Sequence, residues 1–66
     1  MAREIPMATY KVVTKCGDNI DITVITTNEQ TFNDIKWILN HDNFAFVIIG
    51  KKAFNKTEII TIEQID

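Results

Sequence analysis

Between residues 9 and 26 the chain reads TYKVVTKCGDNIDITVIT. Apolar and polar side chains alternate there on either side of a Gly-Asp-Asn break, which predicts a β-hairpin. A three-residue loop at Gly17, Asp18 and Asn19 pairs Cys16 with Ile20, Thr14 with Ile22 and Val12 with Val24. Residues directly opposite share a face, so this register gathers the apolar side chains on one side. The other side then places Lys15 opposite Asp21 and Val13 opposite Thr23. A two-residue Asp18-Asn19 loop would mix the faces, and Asn19 suits the left-handed backbone that a three-residue loop requires.

From residue 29 to 40 the period changes. At 100° per residue, Thr31, Phe32, Ile35, Ile38 and Leu39 fall on one stripe, which predicts a helix burying that face. Thr27 or Asn28 would be its N-cap, with Thr27 and Gln30 forming a capping box. The segment NHDN ends it with turn formers. NFAFVIIG, from about 43 to 49, is apolar at every position after Asn43 and predicts a strand covered on both faces. GKKAFNK reads as a turn or short irregular connection. TEIITIEQI reads as a last strand, rich in β-branched residues. The expected fold is α+β, ordered ββαββ, with a four-stranded antiparallel sheet and one helix on one face. The expected domain spans 9–66 and follows a loose tail, 1–8. The expected core includes Val12, Ile22, Val24, Phe32, Ile35, Leu39, Phe46, Ile48 and Ile62.

Length sharpens this picture. Sixty-six residues lie near the lower limit for an unassisted core, and chains this short commonly need a staple. The one cysteine, Cys16, allows no internal disulfide. One His and one Cys do not make a four-ligand zinc site, and no cofactor signature is present. Oligomerisation is the remaining staple, so a homodimer is expected. The net charge of −2 and a pI of about 5.2 give no overall attraction to phosphate. No apolar run approaches the ~20 residues needed to span a bilayer, and the N-terminus lacks a signal-peptide core. A cytoplasmic protein is expected.

Candidate chemistry is sparse. Cys16 and His41 are the only nucleophile–base types of interest, with Cys16 expected inside the hairpin and His41 at the helix end. Asp18 and Asp21 flank a turn. Turn chemistry accounts for the first and the Lys15 cross-strand pair for the second. The two glycines, Gly17 and Gly50, sit at chain reversals and form no phosphate loop. Lys51, Lys52 and Lys56 surround Phe54, a pattern that grips a phosphate backbone and stacks a base. The acidic total favours instead a solvated turn whose Phe54 folds back to cap the core.

Trp37 lies about 160° from the centre of the helix stripe. Asn33, four residues before it, and His41, four residues after it, share its ridge, and Asp34 lies on the same side. Two readings stand side by side. Trp37 lies flat over its neighbours or packs against the N-terminal tail, or it is a contact residue ringed by Asn33, Asp34 and His41, since tryptophan is enriched in binding hot spots.

The closing segment AFNKTEIITIEQI carries Asn55, Lys56, Ile59, Ile62, Glu63 and Ile65. It resembles the ends of many small proteins of low-GC Gram-positive bacteria and their phages. The LytTR DNA-binding domain is similar in closing with an Asn-containing turn and an Ile-rich strand. The likeness covers about a fifth of the chain and implies a shared strand–turn–strand solution rather than a shared activity. The expected function is a non-enzymatic interaction module, of a phage or mobile element, binding itself or a host protein. The alternative is a small nucleic-acid-binding regulator using Lys51, Lys52, Phe54 and Lys56.

Overall fold

A computed structural model describes residues 4–66, so Met1, Ala2 and Arg3 of the expected tail lie outside the described residues. Residues 4–7 carry no regular structure, and Ala8, expected in the tail, is buried and opens the first strand. The elements are β1 (Ala8–Cys16), β2 (Asn19–Thr27), α1 (Phe32–Leu39), β3 (Phe46–Ile49), β4 (Lys52–Asn55), one 3-10 turn (Lys56–Glu58) and β5 (Ile59–Gln64). The class is α+β with one helix, as expected. The single four-stranded sheet is not formed. β2, β1 and β5 make an antiparallel sheet in that order, while β3 and β4 make a separate two-stranded one. The segment 50–56, expected as a connection, supplies β4 and completes this second hairpin.

Both hairpins turn the same way. Cys16 pairs with Asn19 around Gly17-Asp18, and Ile49 pairs with Lys52 around Gly50-Lys51. Gly17 and Gly50 each have φ of +63°, and no other residue among those described has positive φ. A two-residue loop with glycine first matches the right-handed twist of the flanking strands. It is glycine, not Asn19, that supplies the left-handed backbone.

This one-residue change in the first loop reverses the expected face of β2. Val12 now opposes Thr23, Lys11 opposes Val24, Val13 opposes Ile22 and Lys15 opposes Ile20. The expected Lys15–Asp21 pair is therefore absent. Instead Lys11 Nζ reaches Glu63 Oε1 at 3.8 Å across β1 and β5, an exposed pair worth at most about 1 kcal/mol. Ile22 and Val24, expected in the core, point to solvent. The same parity reversal holds in β3: Phe46 and Ile48 are exposed, while Val47 and Ile49 are buried. A short two-stranded hairpin covers only one face, so the continuous apolar run does not mean burial on both sides.

The core draws on every layer: Ala8, Tyr10 and Val12 of β1, Ile35 of α1, Val47 and Ile49 of β3, and Phe54 of β4. Phe32, Ile38, Leu39 and Ile62 are partly buried against it. The helix stripe therefore faces inward as its spacing requires. Tyr10 stacks on Phe32 with ring centroids 6.1 Å apart. Burial, with the charge of Asp34 behind it, pushes the Tyr10 phenol above its ordinary pKa.

The helix starts later than its spacing suggested. Thr31 is the N-cap, and its hydroxyl accepts from Asp34 N while Asp34 Oδ2 accepts from Thr31 N. This reciprocal capping box replaces the expected Thr27/Gln30 one. Thr27 Oγ1 instead accepts from Glu29 N in the preceding turn. The Gln30 side chain donates to Ile48 O and accepts from Gly50 N, tying the helix approach to the second hairpin.

The two turn glycines differ in their surroundings. A Cβ on Gly17 meets nothing within 4 Å, whereas one on Gly50 lies 3.1 Å from Ile25 Cγ2 and 3.5 Å from Thr27 Cβ. Either alanine incurs a left-handed penalty of about 1–2 kcal/mol. Gly50→Ala is expected to lower the melting temperature more than Gly17→Ala, because its Cβ must also push the Ile25 methyl aside by a few tenths of an ångström. Equal losses in thermal unfolding would show that Ile25 yields freely.

Candidate interaction surface

Trp37 is 54% exposed and projects from the outer side of α1. It is not loose. Its ring stacks on His41 with centroids 3.7 Å apart and meets Phe44 at 5.8 Å in a tilted arrangement. Spacing of four along the helix ridge brings Trp37 and His41 together. Just past the helix end, His41 Nδ1 lies 2.6 Å from Trp37 O, which fixes the imidazole under the indole. From the other side, Lys56 Nζ donates to His41 O, and Lys56 N donates to Ala45 O at 3.1 Å. The 3-10 turn, started by Asn55 Oδ1 accepting from Thr57 N at 3.0 Å, thus anchors the segment bearing His41 and Phe44. Beyond Phe44, Phe46 and Ile48 continue on the outward face of β3 at 59% and 58% exposure. The site is an aromatic cluster on a fixed frame beside an apolar strand face.

The other expected rim residues behave differently. Asn33 is exposed one turn before Trp37. Asp34 is exposed but engaged in the capping box. Sequence reasoning missed Phe44, whose place after the helix gave no periodic signal, and missed the outward Phe46 and Ile48 by assigning them to the core.

The basic cluster does not assemble as a base-stacking platform. Phe54 is 7% exposed and faces Val47 in the core. Lys52 Nζ lies 5.7 Å from the Phe54 ring centroid. Lys51 and Lys52 sit at one end of β4, while Lys56, past the other end, is turned toward His41 O.

Cys16 and His41 do not form a nucleophile–base pair either. Cys16 is exposed, not inward: it has the strand parity of Tyr10 and Val12 but lies at the hairpin tip, past the end of the buried part of β1. The Glu58 carboxylate beside it holds its thiol above the ordinary thiol range, by hydrogen bonding and by charge. That suppresses the thiolate, the reactive form. Glu58→Gln is expected to raise the rate of iodoacetamide alkylation at pH 7–8 and to shift the pH–rate curve to lower pH. An unchanged curve would show that Glu58 does not act on the thiol.

The fold and surface define a small α+β domain of two sheets and one helix that leaves a fixed aromatic cluster in solvent. No protein-family model, curated protein or solved structure matches the chain. No helix among the described residues is long and apolar enough to cross a membrane.

Proposed function

We propose that this chain is a non-enzymatic protein-interaction module whose contact site is Trp37, with Phe44 beside it and His41 beneath it. The observation that carries this reading is a half-exposed tryptophan held in place by its own subunit. An ordered aromatic loses little side-chain entropy when a partner covers it, which is the property of a binding hot spot. Asn33 and Asp34 supply polar groups at its margin. The partner is a protein surface with an apolar recess, offered by a host protein of a phage or mobile element. Cytoplasmic placement belongs to the same reading.

The nucleic-acid alternative rests on Lys51 and Lys52 alone, since Phe54 is buried and Lys56 is engaged. Two lysines on an acidic chain give little phosphate affinity at physiological salt. The deciding experiment is the substitution Trp37→Ala, read both as stability and as binding, alongside a salt titration with labelled single- and double-stranded nucleic acid. Binding that weakens on Trp37→Ala supports the module. Salt-sensitive nucleic-acid binding lost on Lys51→Glu/Lys52→Glu would replace it with the regulator.

A further inference from the structure

We propose that β2 is a self-association edge: two copies pair their β2 strands antiparallel about a two-fold axis at Ile22, joining two three-stranded sheets into one of six strands. This goes beyond the Trp37 reading and uses a different surface. The two edges of the three-stranded sheet are built differently. β5 carries the usual protections of an edge left in water. Its pairing with β1 is broken by an irregularity at Val13/Thr14, and Glu63 on it reaches Lys11. β2 has nine residues in unbroken register with β1, with no lysine, arginine or proline and one charge, Asp21. An unguarded apolar edge of this length pairs with another strand.

The outward side chains of β2, Ile20, Ile22 and Val24, are 60%, 62% and 58% exposed. Among the described residues no strand pairs with the free edge of β2. Two open grooves separate β2 from the second hairpin, one of about 680 Å³ with Ile25 and Thr27 facing Gly50 and Lys51, the other of about 400 Å³ with Asp21 and Thr23 facing Lys52 and Ala53, so the hairpin does not close over this side of β2.

A second copy is the occupant because β2 complements itself in one register. Residues directly opposite in an antiparallel pair share a face. About Ile22, that residue meets the partner's Ile22, and Ile20 meets the partner's Val24 twice over. All three outward apolar residues are then matched. On the inward face Asp21 meets the partner's Thr23, whose hydroxyl donates to the carboxylate, and only at the two ends of the seam does a polar residue, Asn19, meet the partner's Ile25. Centring one residue later places Ile20 against the partner's Thr26 and Asp21 against the partner's Ile25. Centring one residue earlier sets the two Asp21 carboxylates face to face. Since Val13 opposes Ile22 within each copy, the Ile22 register also makes an unbroken apolar row of four residues across the seam. The seam is about 24 Å long for seven paired residues, roughly 1,000 Å² in all and at the small end of specific interfaces. Association is therefore to be read at high concentration.

The test is sedimentation equilibrium of the whole chain from ~1 to ~500 μM, with a cross-linking arm. The wild-type mass is expected to rise from the 7.6 kDa monomer toward twice that value. Ile22→Lys is expected to remain monomeric throughout with an unchanged circular dichroism spectrum, because the side chain it replaces is exposed. Trp37→Ala is expected to associate like wild type. In the second arm, Cys16→Ser/Ile22→Cys oxidised with copper phenanthroline is expected to give a covalent dimer, and Cys16→Ser/Thr61→Cys, altered on β5, is not. A wild type monomeric at ~500 μM, Ile22→Lys associating like wild type, or equal cross-linking from both positions overturns the proposal. Self-association lost on Trp37→Ala and kept on Ile22→Lys overturns it in favour of the Trp37 surface. Loss on Ile22→Lys, with Trp37→Ala affecting neither self-association nor partner binding, supports β2 and removes the Trp37 reading alone.

Discussion

Ile49→Ala is expected to leave the chain largely unfolded at 25 °C, while Ile48→Ala changes its stability by no more than about 1 kcal/mol. The two residues are neighbours of the same type on one strand. Ile49 is 0% exposed and Ile48 58% exposed. Truncating a fully buried isoleucine costs about 2–5 kcal/mol, the lost transfer energy plus the cavity left behind. A domain of this size has only ~3–5 kcal/mol in total. At Ile48 the loss is limited to strand preference and a little surface contact. Urea unfolding of the two variants, followed by circular dichroism, checks this. The opposite ranking would mean that β3 presents its other face to the core, and that the expected burial of Phe46 and Ile48 was right after all.

Trp37→Ala is expected to weaken partner binding by more than about 1 kcal/mol while lowering stability by about 1 kcal/mol or less. The stability term is the lost stacking on His41 and Phe44, at the low end for aromatic pairs because Trp37 and Phe44 are both exposed. For a domain of this length it corresponds to a fall in melting temperature of no more than about 8 °C. A tryptophan carries up to about 250 Å² of surface that a partner can cover, worth several kcal/mol at ~25 cal/mol per Å² before the costs of association. Because it is the only tryptophan, its emission reports binding directly, with a blue shift when the partner closes over it. Calorimetric melting set beside titration of the emission separates the outcomes. A large fall in melting temperature with unchanged affinity would make Trp37 a structural residue that leans on the domain's own surface.

The turn chemistry is legible in the sequence, and a three-residue first loop misses it by one residue. Gly17-Asp18 and Gly50-Lys51 are glycine-first pairs, each following a strand rich in β-branched residues, the composition of a two-residue hairpin turn. A two-residue turn at Gly50-Lys51 places β4, and one at Gly17-Asp18 pairs Val12 with Thr23 and turns Ile22 and Val24 outward. A three-residue loop collects Val12, Ile22 and Val24 on one face, which is the better register only if every apolar strand residue belongs to the chain's own core. The same premise buries Phe46 and Ile48. The wheel position of Trp37 needed no such assumption, since the helix stripe was complete without it, and there the outer placement matches the structure.

Local pattern by itself determined the α+β class, the first hairpin, one helix with Ile35 at the centre of its buried stripe, the closing β-branched strand, and Trp37 on the far side of the helix. These follow from periodicities of two and 3.6 that the backbone imposes over a few residues. Tertiary structure alone decided which face of β2 and β3 turns inward, the split into two sheets, and the Trp37–His41–Phe44 cluster held by Lys56. The physical reason is that a strand's two faces are equivalent to the backbone. The choice between them is made by what packs across from them, and in a domain this thin only one face of each sheet finds a partner within its own chain.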